Sequence, residues 1–254
     1  LSGVLVFVIA LSVFLTSTLS GVFGMAGGMI LMTILLFLMP VPAAMAIHAA
    51  IQTVSNGWRC FLWRRHIVWR ALPFYFMGVA TGFAIVAAVT FVPEKPVALI
   101  VMGALPLLSL LVRQKIRISI ENRAQAFVCA ILLTFVQMTA GVVGPLLDVL
   151  YNNARLTRQQ IVSTKAFTQT SMHILRLVYY GLFIPAASTG IAWQDGIGAL
   201  QMALFLAASV TGTSTAALIL KRMDDARFKS ITDYLVIFIG SLCLSQGVVL
   251  LVFG

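Results

Sequence analysis

Residues Gly21–Trp69 read GVFGMAGGMILMTILLFLMPVPAAMAIHAAIQTVSNGWRCFLWRRHIVW. Glycines between Gly21 and Gly28 interrupt an apolar run, and glycine admits backbone angles that leave the helix and lets another group approach closely. The segment that follows, Met29 to Met39, is too short to cross a hydrocarbon core of about 30 Å at about 1.5 Å per residue. Pro40 and Pro42 punctuate the chain, and the longer stretch Ala43 to Trp63 then carries His48, Gln52, Asn56 and Arg59 at spacings of four, four and three. Those spacings put all four on one helix face. The stretch therefore predicts a broken helix, a half-spanning segment and a full span with one polar face, closed by a basic loop.

The rest of the chain extends this pattern. Apolar residues make up 61% of the 254 residues and charged residues 9%, a balance that would leave a soluble domain with large exposed apolar patches. The first half divides into apolar segments near Val4 to Leu19, Met29 to Met39, Ala43 to Trp63, Ala71 to Val92 and Pro96 to Val112. The second half divides near Ala124 to Ala140, Pro145 to Tyr151, Gln160 to Phe183, Gly196 to Leu220 and Ile231 to Phe253, and again its second member is short. The first run lacks a basic flank and a small-residue cleavage site, so it reads as a retained span.

The formal net charge of +10 does not point to nucleic acid, because 13 of the 17 Lys and Arg lie in four short segments between apolar runs: Arg64 to Arg70, Arg113 to Arg123, Arg155 to Arg158 and Lys221 to Lys229. Under the positive-inside rule these are cytoplasmic. The connectors Pro40 to Pro42, Pro93 to Pro96 and Ile184 to Asp195 are then external, and so are both ends of the sequence. Five segments per half is an odd number, so the second half enters the membrane in the opposite sense. The expected architecture is an all-α polytopic membrane protein with about ten transmembrane segments, forming one domain over 1–254 built from inverted repeats at 1–112 and 113–254.

Two echoes support the duplication. Gly21-Val22-Phe23-Gly24 recurs as Gly141-Val142-Val143-Gly144, each time just before a short segment. His48-Ala49-Ala50-Ile51-Gln52-Thr53 resembles Lys165-Ala166-Phe167-Thr168-Gln169-Thr170, and continuing that register sets Asn56 against His173 and Arg59 against Arg176. The copies differ where Pro145 follows Gly144 and the first copy has Met25-Ala26-Gly27-Gly28. Proline suits a first helical turn but donates no N–H.

The candidate binding residues fall at these breaks and on these faces. The helix after the first break presents free N–H groups and a positive dipole end, so Gly24, Gly27 and Gly28, with Gly144 in the second copy, are expected to attract an anion. Alternatively, the glycines only permit tight helix packing. Gln52 and Gln169 lie near the bilayer middle, where a repeat interface binds substrate, and Thr53, Asn56, Thr170 and His173 are candidate binding residues beside them. Polar groups at that depth turn inward, either as interhelical glue or along a hydrated path. Lys165 needs Asp148 as a partner or an anion from outside, and Asp148 could equally pair with Arg155. Arg59 and Arg176, nearer opposite faces, are expected to snorkel to the headgroups. His48 and His173 could couple transport to protons or serve only as hydrogen-bonding residues.

No nucleophile with its base, no HExxH and no paired intramembrane aspartates occur, so catalytic residues, metal ligands and cofactors are not expected. Cys60, Cys129 and Cys243 are isolated within apolar runs and read as packing residues.

In the order of its features the quoted stretch resembles the sulfite exporter TauE/SafE family: a glycine-rich break, a short apolar segment, a proline near its end, a small-residue helix with polar positions and a basic loop, with Gly78 and Gly82 in the next span. The resemblance extends through both halves. It implies a permease, not an enzyme, that moves sulfite, sulfonates or related sulfur-containing organic anions across the bacterial inner membrane. The expected mechanism is alternating access at a central site, with Lys165 supplying compensating charge; a passive anion channel or a membrane enzyme are the other readings.

Overall fold

Each apolar run is a helix in the computed structural model, which describes residues 2–23, 26–112, 115–184, 197–220 and 225–253. In chain order the helices are α1 (Gly3–Phe23), α2 (Ala26–Leu38), α3 (Val41–Trp63), α4 (Leu72–Val89), α5 (Lys95–Val112), α6 (Arg123–Ala140), α7 (Gly144–Asn152), α8 (Arg158–Val178), α9 (Ala199–Leu220) and α10 (Asp225–Phe253). Short 3-10 turns at Arg64–His66 and Trp69–Ala71 join α3 to α4, and a π-helical stretch, Tyr179–Phe183, continues α8. No strand occurs among the described residues. Gly24 and residues 185–196, which include most of the connector expected to be external, lie outside them.

Local chemistry sets several boundaries. Thr157 and Gln160 form a reciprocal capping box at the start of α8, and the Asn122 side chain accepts from the Gln125 N–H at the start of α6. Prolines occupy the first turns of α3 and α7, where a missing N–H costs nothing. α6 stops at Gly141, whose φ of 75° is the left-handed geometry glycine tolerates.

Among the described residues six helices are long and apolar enough to cross a membrane, within α1, α4, α5, α6, α9 and α10. Their outer faces expose large apolar side chains such as Phe7, Leu11, Met77, Leu132 and Phe238, the arrangement that lipid contact favours. α2 and α7, with 13 and 9 residues, reach only about 20 and 14 Å, short of a bilayer core. Most of α2 is buried, nine of its 13 residues, which is why it can be apolar all round.

α3 and α8, with 23 and 21 residues, are long enough to cross yet too polar to count as apolar spans. They pack on each other in the interior, and their polar faces meet there instead of facing lipid. Around them α1 lies along α9, α4 along α6 and α5 along α10, while α2 touches α10 and α7 touches α5. Small residues allow the close approaches: a Cβ on Gly78 of α4 would stand 2.9 Å from the Ala130 Cβ of α6.

Candidate functional site

The helix breaks and the α3 and α8 faces meet at one cavity. It has a volume of about 20 Å³, room for about one water-sized group, and it is lined by Gly28 on α2, by His48, Gln52 and Asn56 on α3, and by Gln169 and His173 on α8. Ser20 near the end of α1 and Gly141, Val142 and Val143 between α6 and α7 complete it. Both breaks therefore contribute backbone to the same space.

Helical periodicity explains the grouping, because residues four apart on α3 stand one above another. Asn56 Nδ2 donates to the Gln52 carbonyl at 3.0 Å and to Gln52 Oε1 at 3.2 Å, which fixes one amide against the next. A Cβ on Gly28 would stand 2.9 Å from Gln52 Nε2, so glycine is what lets the α3 amide approach the start of α2.

Arg176 is the largest fully buried side chain, with no exposure at all. Its Nη1 donates to the Gly141 carbonyl and its Nη2 to His48 Nδ1, both at 2.5 Å, while Nε has no partner. A guanidinium only donates, so His48 Nδ1 accepts and His48 Nε2 carries the proton it donates to the Gly28 carbonyl at 2.9 Å. This chain runs from the α6 break through Arg176 and His48 to the first turn of α2. His173 stands edge-on to His48 with ring centroids 5.7 Å apart, and Gln137 Nε2 lies 3.0 Å from His173 Nδ1. No carboxylate pairs with Arg176 among the described residues.

The other expected residues stand elsewhere. Lys165 pairs with Asp148 of α7, the first of the two partners open to it, and neither lines the cavity. Gly27 packs against Ser20 of α1, Thr170 donates to the Ala166 carbonyl of its own helix, and the Thr53 hydroxyl is buried without a partner. Gly144 begins α7 just beyond the lining residues, and Gly24 lies outside the described residues. Arg176, expected to snorkel, turns inward instead, and Arg59 Nη2 donates to the Ser20 carbonyl at 2.9 Å. Each guanidinium donates to a carbonyl at or near a helix end. Gln137 and Arg176 were not among the expected binding residues; the signal for Gln137 is a lone amide one turn before the Gly141 break.

Apolar helices of membrane length around a polar cavity backed by a buried arginine define the class as a helical membrane protein with a polar interior site. The chain belongs to the sulfite exporter TauE/SafE family, whose model matches residues 9–242. That membership makes it a multi-pass membrane transport protein for sulfite or a related anion. No curated protein and no solved structure matches the chain.

Proposed function

We propose that the chain carries a small sulfur-containing oxyanion, sulfite or an organosulfonate, across the bacterial inner membrane by alternating access at the central cavity. The observation that carries this reading is Arg176: a guanidinium with no exposure, no carboxylate partner among the described residues and an unpaired Nε, bonded to two residues that line a polar cavity. A buried charge without a counter-ion is costly, and an anion entering the cavity would offset it. Arg176 takes the compensating role first expected of Lys165, whose charge Asp148 already neutralises.

Gly28, His48, Gln52, Asn56, Gln169 and His173 would surround the anion, with the backbone of both breaks alongside. Inverted repeats at 1–112 and 113–254 fit the helix pairing, because exchanging α1–α5 with α6–α10 turns the α1–α9 contact into α6–α4 and the α2–α10 contact into α7–α5, and leaves α3–α8 and α5–α10 in place. In this reading the chain crosses with its basic loops inside. A cavity of about 20 Å³ is too small for an oxyanion, so transport requires the walls to part on one side and then on the other.

A ligand screen tests the reading. Sulfite, small sulfonates and carboxylates are added to purified protein at two pH values while thermal unfolding is followed. Stabilisation by sulfite or a sulfonate, more than by carboxylates, is expected; stabilisation by none of them contradicts the proposal. A change with pH in sulfonate stabilisation would place a linked proton on the protein.

A further inference from the structure

Arg59 and Arg176 sit three residues after Asn56 and His173, matching positions in the two sequence echoes. Each makes the same kind of bond. Arg59 on α3 donates to the Ser20 carbonyl near the end of α1, and Arg176 on α8 donates to the Gly141 carbonyl at the end of α6. Ser20 and Gly141 both line the central cavity. Two guanidiniums thus reach the walls of one cavity, each held by a carbonyl at a helix break, and neither pairs with a carboxylate among the described residues.

A neutral carbonyl is a weaker partner for a guanidinium than a charged oxyanion, which takes two parallel N–H bonds from the planar fork. The carbonyls hold the side chains in position without satisfying their charge. The two positions also differ in depth. Arg59 lies just before the basic turn Arg64–His66 at the end of α3, whereas Arg176 lies at the far end of α8 from its start at Arg158. They differ a little in burial too, since Arg176 has no exposure and Arg59 is mostly buried with some exposure.

We infer that Arg59 and Arg176 are two side-specific anion stations, Arg59 receiving the oxyanion from the face that carries the basic loops and Arg176 from the opposite face. The inference rests on the transport reading above. In this scheme each conformation presents one station to its own face and covers the other, and exchange of the two repeats' conformations reverses which is presented. Two arginines that merely staple helix ends would serve both faces alike.

Flux of radiolabelled sulfite in vesicles holding the protein in one orientation tests this, with half-saturation measured from each face. Arg59→Lys, which keeps the charge and loses the fork, raises half-saturation roughly tenfold from the basic-loop face only, and Arg176→Lys does so from the other face only. Equal changes on both faces, or none, overturn the inference. If a variant does not fold, the unsubstituted protein is treated with the arginine reagent phenylglyoxal and its peptides mapped. Arg59 reacts before Arg176 and sulfite slows its reaction; no protection by sulfite also overturns the inference. Wild-type protein that moves no sulfite and no sulfonate would instead bring down the transport reading itself.

Discussion

Arg176 shows how one residue shapes the centre of the molecule. Its bonds to Gly141 and His48 tie the α6 break to α3, and His48 passes the connection to α2. Gly141 holds φ at 75°, and a Cβ there would stand 2.6 Å from Arg176 Nη1. Gly141→Ala is therefore expected to cost about 1–2 kcal/mol in backbone strain and to displace the guanidinium. Thermal unfolding in detergent should fall by several degrees; an unchanged midpoint would mean that the break is not held by this geometry. The polar faces were legible in the sequence because four-residue spacing survives translation into a helix, as Gln52, Asn56 and His48 demonstrate. The roles of Arg59 and Arg176 were not. Distance from a membrane face suggests snorkelling, and the competing carbonyls of Ser20 and Gly141 come from segments remote in sequence.

At the scale of elements, hydrophobic run length located the helices while hydrogen bonding set their ends. α4 stops at Val89, short of the expected Val92, because Thr90 takes a left-handed φ of 50°. α8 begins at Arg158 instead of Gln160 because the Thr157 capping box starts it earlier. α2 and α7 are short as expected: glycines and Pro40 bound α2, whereas Gly141 precedes α7 and the polar stretch from Asn152 to Arg158 follows it. The close pairing of α4 with α6 depends on Gly78, whose added Cβ would meet the Phe127 carbonyl and Ala130. Gly78→Leu should overpack this contact and destabilise the fold by about 1–3 kcal/mol. Unfolding followed by circular dichroism checks it, and a midpoint equal to wild type would show that α4 and α6 can separate at no cost.

For the whole molecule, the sequence placed glycine-rich breaks beside two polar faces, and the fold brings both breaks and both faces to one cavity. Composition could not reveal which residues would line it, since Lys165 and Gln169 lie on the same helix yet only Gln169 reaches the cavity. The division is physical: Asp148 holds Lys165 at α7, while Gln169 and His173 continue along α8 towards Gly141. The account's central claim is that this cavity binds the anion that is moved. Uptake of sulfite and of a small sulfonate into vesicles containing purified protein tests it most directly, with Gln52→Ala measured beside wild type. The account predicts saturable uptake that falls roughly tenfold or more in Gln52→Ala while the variant stays folded. Uptake equal in the two proteins, or no uptake of either anion by wild type, would contradict it.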